Sequence, residues 1–170
     1  IKEKKIQDST RISLVLPFLK DLINKKAKII IISHLGRPKG VKKSNLSLMP
    51  IYKFLKDQLK TNLFFFMWDI NEETKNKCSY LKPGEVILLE NIRFSKGEGE
   101  NDDDLADKLA SLGDIYVNDA FSCSHRKQAS IHKIVKYAKE SYAGPLLKKE
   151  VEAINSIVEG KKKPVTCIIG

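Results

Sequence analysis

Four arginines, Arg11, Arg37, Arg93 and Arg126, stand in a chain whose basic residues number 31; all the others are lysine. A chain that uses lysine almost everywhere needs a chemical reason for arginine. One reason is the rigid, planar guanidinium fork, which grips a carboxylate or phosphate through two hydrogen bonds. The other is a structural salt bridge. Position separates the two. Arg37 lies in SHLGRPKG (33–40) with His34 and Gly36, Arg93 in ENIRF (90–94), and Arg126 in NDAFSCSHR (118–126) beside His125. Each of these segments directly follows a short apolar run. Arg11 follows Asp8, Ser9 and Thr10, residues that favour a helix start.

Those apolar runs are the elements that must position the arginines. Lys28–Ser33, Leu63–Trp68, Val86–Glu90, Ile115–Asn118 and Val165–Ile169 are expected to be strands. They are continuously apolar rather than alternating, which suits strands covered on both faces. Helical spacing lies between most of them. Ile12, Val15, Leu16, Leu19, Leu22 and Ile23 share one face, with Pro17 implying a kink or a helix that starts there. Leu48–Leu59 and Asp102–Leu112 are the next helices, the latter with an acidic first turn. Leu146–Val158 ends at a Gly160 stop signal.

Strands and helices in alternation predict an α/β fold, a parallel sheet covered by helices on both faces in a Rossmann-like three-layer arrangement. Right-handed crossovers then bring the loops after the strands to one edge, where ligands of such folds bind. All four arginines are expected at that edge or at a helix mouth that already favours anions. Four independent salt bridges would be an unlikely coincidence at these positions, so the arrangement points to a small, highly anionic ligand.

Composition is consistent with this. The net charge is +10 and the isoelectric point about 9.4, which attracts phosphorylated small molecules, nucleic acid or acidic membranes alike. The lysines are spread along the chain without a helix-turn-helix, RRM or zinc pattern, which argues against nucleic acid. No apolar run approaches the roughly 18–20 residues of a membrane span, and no leader with a cleavage site is evident, so a membrane or export is not expected. Three cysteines, Cys78, Cys123 and Cys167, lack metal-ligand spacing and are expected to be free thiols in a reducing compartment, the cytoplasm. The chain begins at Ile1 and stops at Gly170 after an apolar run, as a piece of something longer would.

Other residues carry less. Gly36 would let backbone approach a ligand, and Gly97 and Gly99 flank an expected turn. Neither a G-x-G-x-x-G nor a Walker-type motif is present. Glu90 and Asp119 are placed to orient the arginines. His132 is expected on a helix in a structural role, and Cys123 lacks an evident base.

The segments DSTRI (8–12), SHLGRPKG (33–40), LKPGEVILLENIRF (81–94), GEGEND (97–102) and LASLGDIYVNDAF…HR…AS (109–130), in this order, resemble the phosphoglycerate kinase family over nearly the entire chain. The resemblance implies a fragment of a two-domain kinase of glycolysis, a cytoplasmic transferase. It would move a phosphoryl group reversibly from 1,3-bisphosphoglycerate to ADP, giving 3-phosphoglycerate and ATP. By the same resemblance residues 1–144 form the phosphoglycerate-binding domain without its first strand, 145–163 the connecting helix, and 164–170 the first strand of the nucleotide-binding domain. Arg11, His34, Leu35, Gly36, Arg37, Arg93 and Arg126 would bind the substrate, and Arg11 would also stabilise the transferring phosphoryl group. No metal or cofactor site is implied within the chain, since Mg-ATP/ADP would be held by the second domain. A monomer is expected. Departures from the family pattern are Ser122 and Cys123 at positions usually Gly or Thr, and Gln128 where His is common. A stand-alone domain that only binds phosphorylated acids remains the alternative.

Overall fold

The computed structural model describes residues 6–67, 69–160 and 163–166. Helix α1 (Thr10–Asn24) opens the chain, with the Asp8 carboxylate accepting from the Thr10 N–H at 2.8 Å. Pro17 lies within α1 on its exposed side, so a helix beginning at Pro17 is excluded. Strand β1 (Ile29–Ile31), helix α2 (Met49–Leu59), strand β2 (Leu63–Phe66), helix α3 (Glu72–Ser79) and strand β3 (Val86–Leu89) follow. These strands make a parallel sheet in the order β1–β3–β2, with Ile30 and Phe64 both opposite Ile87.

The central strand explains the coverage. Every residue of β3 is buried. Val86 and Leu88 join Leu16 and Leu19 of α1 and Leu55 and Leu59 of α2 in one core. Ile87 and Leu89, on the opposite face, pack with Cys78 and Leu81 at the end of α3. A third core, Ile70, Ile92, Leu105, Ala106, Leu109, Ala129 and Ile134, lies beside them, and apolar burial in all three stabilises the domain at about 25 cal/mol per Å² removed from water.

A second group of elements holds the other half. Helix α4 (Lys96–Glu100) contains both Gly97 and Gly99, where a turn was expected, and helix α5 (Asp103–Ala110) starts on an Asp102 side-chain cap. Strand β4 (Ile115–Asn118) pairs in parallel with β5 (Glu140–Ala143), and between them lie a π-helical turn, Ala129–Lys133, and helix α6 (Ile134–Tyr137). Helix α7 (Pro145–Val158) closes the described chain, with Gly160 in the left-handed region at φ +66°.

Strands β4 and β5 depart from expectation in two ways. They form a ladder separate from the three-stranded one among the described residues, and β4 alternates in exposure instead of being covered on both faces. Ile115 and Tyr142 share a face and are 58% and 56% exposed. Strand β5 has the sequence ESYA, exposed throughout, so no apolar run announces it. The strand expected at Val165–Ile169 falls largely outside the described residues; Val165 and Thr166 are not in a strand.

Candidate functional site

The site is assembled at the carboxyl end of β3. Two consecutive polar side chains leave that strand buried, Glu90 and Asn91. The Glu90 carboxylate accepts from the Leu48 N–H (2.7 Å), the Ser47 hydroxyl (2.6 Å) and the Asn91 N–H (2.8 Å). Glu90 therefore anchors the start of α2 and is not hydrogen-bonded to an arginine, a correction to its expected role. The Asn91 side-chain amide donates to the Leu35 carbonyl (2.8 Å) and the Leu46 carbonyl (2.9 Å), and its Oδ1 accepts from the Arg93 N–H (3.1 Å). The loop after β1 is thereby tied to the turn after β3.

Gly36 turns that first loop at φ +65°, a conformation that costs other L-residues energy. A Cβ there would also lie 2.8 Å from Leu46 Cδ2. The turn leaves the Gly36 carbonyl facing Arg93, whose Nη1 donates to it at 2.8 Å. Arg93 Nη2 donates to Gln128 Oε1 at 3.2 Å, while Arg93 Nε is buried without a partner. Burial first, and the neighbouring Arg126 charge next, push the Arg93 guanidinium below its ordinary value. The charge of Arg37, which is exposed, adds to this.

His34 and Arg126 complete the cluster. Burial, then the charges of Arg93 and Arg126, lower His34 from 6.5 to about 4, so the imidazole is neutral at pH 7. Its Nε2 lies 3.8 Å from Cys123 Sγ. The Arg126 N–H donates to the Cys123 carbonyl (2.9 Å), closing the turn after β4, and Arg126 Nε is also buried without a partner. The carboxylate whose charge reaches Arg93 is Glu98, and its oxygens accept from the Ser130 N–H and hydroxyl at 2.9 and 2.7 Å. Burial raises the Glu98 carboxyl despite those bonds.

The four arginines and the lysines divide cleanly. Among the described residues all nine ion pairs are made by lysine and none by arginine. Loop geometry thus gathers His34, Arg37, Arg93 and Arg126 into one cluster of mutually interacting groups, with the Gly36 carbonyl bonded to Arg93. Uncompensated like charges held together are unfavourable, and a bound polyanion would relieve them. Arg11 is not drawn into this network. It is exposed in the first turn of α1, with Asp8 as its charge neighbour.

Three further residues have roles the sequence did not suggest. Asp119 Oδ1 accepts from the Leu146 and Leu147 N–H groups at 2.7 and 3.0 Å, capping α7 instead of orienting an arginine. Asn91 and Gln128 were not singled out for contact with the site, and both bind Arg93. A readable signal existed for Asn91, since a polar pair ending a fully apolar strand needs buried partners. His125 is exposed, and His132 Nδ1 lies 3.3 Å from Asn101 Nδ2 on the π-helical turn. No group of three or more His, Cys, Asp or Glu side chains able to hold a metal occurs among the described residues. No helix among them is long and apolar enough to cross a membrane.

The fold is a parallel α/β domain with a cluster of arginines in the loops that follow the carboxyl ends of its strands. The family model of phosphoglycerate kinase matches residues 1–170, and the chain belongs to that family. It is 47% identical over 170 residues to the phosphoglycerate kinase of Wolbachia sp. subsp. Drosophila simulans (strain wRi), covering all of this chain and 42% of that relative. It is 45% identical to the phosphoglycerate kinase of Dictyoglomus turgidum, again covering all of this chain and 42% of the relative. The structure of phosphoglycerate kinase from Coxiella burnetii superposes with a TM-score of 0.83 at 40% identity, over 96% of this chain and 41% of that one. The chain thus spans about 42% of the length of the curated relatives it matches.

Proposed function

We propose that these residues form the phosphoglycerate-binding part of a phosphoglycerate kinase. The reaction is reversible transfer of the acyl phosphoryl group of 1,3-bisphosphoglycerate to ADP, a step of glycolysis in the cytoplasm. The bond between phosphorus and the acyl oxygen breaks, one to the terminal phosphate oxygen of ADP forms, and 3-phosphoglycerate leaves with ATP. Mg²⁺ accompanies the nucleotide. The division is 1–144 for the substrate domain, 145–163 for the connecting helix and 164–170 for the start of the nucleotide domain. The ADP/ATP site belongs to the remainder of the protein. Family membership and the 42% of each relative that is covered support reading these residues as part of a larger protein, and α7 (Pro145–Val158) falls within the proposed connecting segment.

The observation that carries the reading is the pairing of charges. Among the described residues the ion pairs are all made by lysine, and Arg93 and Arg126 each keep a buried Nε without a partner. Arg37, Arg93 and Arg126 present forks to the phosphate and carboxylate of the substrate. His34, neutral beside them, donates a hydrogen bond without adding to the repulsion. Leu35 and Gly36 supply the backbone wall. Arg11 stabilises charge on the transferring phosphoryl group, where positioning and electrostatics do most of the catalytic work. The deciding experiment is ATP formation from 1,3-bisphosphoglycerate and ADP by the whole gene product, purified from host kinase. Turnover is expected; its absence would leave only an anion-binding domain.

A further inference from the structure

We propose that Asn91 is a positioning residue of this site: through its side-chain amide it sets the His34–Arg37 loop and Arg93 in register with each other. The inference rests on the reading of the crevice as a phosphoglycerate site. Asn91 is fully buried, and each of its polar functions is used: on the loop after β1, on the turn that precedes α2, and on Arg93. One N–H holds the Leu35 carbonyl, the other holds the Leu46 carbonyl, and Oδ1 holds the Arg93 backbone N–H. The Arg93 side chain then returns to the Gly36 carbonyl, one residue beyond Leu35. The circuit Asn91–Leu35–Gly36–Arg93 is closed by hydrogen bonds at both ends.

The chemistry leaves little choice of residue. Two donors and one acceptor are needed at the reach of a single methylene, and an asparagine side chain has both in one planar group. Aspartate has the shape without the donors, and would face two carbonyl oxygens with a negative charge. Glutamine carries the same groups one methylene too far, which shifts the loop against Arg93. Serine keeps one donor at shorter reach. Misplacement of a binding group by about 1 Å can cost on the order of 100-fold. Asn91 touches no substrate itself, so its effect must pass through the loop and Arg93.

The test uses the whole gene product and its Asn91→Gln and Asn91→Ser variants. Calorimetric titration measures affinity for 3-phosphoglycerate and, separately, for Mg-ATP, with circular dichroism confirming the folded state. A positioning role lowers 3-phosphoglycerate affinity by about tenfold or more in a folded variant, while Mg-ATP affinity stays within about twofold. Variants that fail to fold, or that fold and bind 3-phosphoglycerate as the unmodified protein does, assign Asn91 to the fold alone and overturn the proposal. If the unmodified protein binds 3-phosphoglycerate but makes no ATP, the kinase reading falls while the Asn91 role is still decided by affinity. If it binds no 3-phosphoglycerate, both fall.

Discussion

Arg93 Nη2 donates to the side-chain carbonyl of Gln128 across 3.2 Å, so the side-chain partner of this arginine is a neutral amide and not a carboxylate. The amide orients the guanidinium without cancelling its charge. A glutamate at the same place would do both.

Gln128→Glu should therefore move stability and binding in opposite directions. The new carboxylate relieves the repulsion between Arg93 and Arg126 and gives Arg93 an ion-pair partner, so thermal stability rises. It also competes with the anionic substrate. Affinity for 3-phosphoglycerate should fall about tenfold, the worth of one charge-assisted hydrogen bond of roughly 1.5 kcal/mol. Thermal melting and titration on the same sample check both signs. A variant that binds as tightly as the parent would show that Arg93 does not face the substrate.

Charge-preserving changes separate fork geometry from bulk charge. Arg37→Lys, Arg93→Lys and Arg126→Lys each keep the +10 balance but lose a bidentate contact. Each should weaken 3-phosphoglycerate binding by roughly 1–3 kcal/mol. Inorganic phosphate, which lacks the carboxylate, should bind the parent more weakly than 3-phosphoglycerate does. Indifference to all three substitutions would reduce the crevice to a diffuse cationic patch.

The positions of the clustered arginines were legible in the sequence because arginine was scarce. Arg37, Arg93 and Arg126 could each be placed after a strand, and β1, β3 and β4 occur where their apolar runs stand. What could not be read has a common physical origin. Strand β5 is exposed throughout and has no run of apolar residues, so nothing in its sequence announces its pairing with β4. Asp119 caps a helix that begins 26 residues later, at Pro145, with Gly144 so close that a Cβ there would lie 2.4 Å from Asp119 Oδ1. Proximity of that kind is made by the fold and has no local signature. The same holds for Glu90, whose partners Ser47 and Leu48 are distant in sequence.

Arg11 stands apart from the cluster, which gives its proposed role a distinct kinetic signature. A residue that meets mainly the charge of the transition state affects turnover more than substrate binding. In the whole protein, Arg11→Ala should reduce kcat by about 100-fold or more, as removal of a single charge-stabilising donor does elsewhere. The KM for 3-phosphoglycerate should change far less. Steady-state kinetics in the ATP-consuming direction distinguish the two. A raised KM with intact kcat would move Arg11 to ground-state binding.

His34 makes stability depend on pH in a defined window. Its folded value, about 4, lies below the ordinary 6.5, so the unfolded chain takes up this proton first as pH falls. The contribution of neutral His34 is fully present above about pH 6.5, and is lost progressively as pH falls towards about 4. Melting temperature should decline across that interval, and His34→Gln should flatten the part of the decline due to this residue. Titration of the His34 ring protons by NMR should give a midpoint near 4; a midpoint near 6.5 would mean that the ring is solvated and not pressed against Arg93 and Arg126.

The last prediction concerns the 170 residues taken by themselves. Helix α7 has no buried residue, and Val151, Ile154, Ile157 and Val158 are exposed along it, Val158 by 79%. A second apolar face, formed by Ile115, Val117 and Tyr142, lies open on β4 and β5. Contiguous apolar surface of this kind marks an interface, and burying even a few hundred Å² is worth several kcal/mol at roughly 25 cal/mol per Å². A domain has only about 5–15 kcal/mol of net stability, so leaving such surface in water is a serious cost. We infer that the nucleotide domain, which follows α7 in the proposed division, covers part of this surface. Isolated residues 1–170 should then self-associate and bind a hydrophobic dye, and should form no ATP from 1,3-bisphosphoglycerate and ADP. Hydrogen exchange should show α7 amides protected in the whole protein and fast in the isolated piece. Equal protection in both would mean that α7 is stabilised within these 170 residues, and ATP formation by the piece alone would place the nucleotide site inside it.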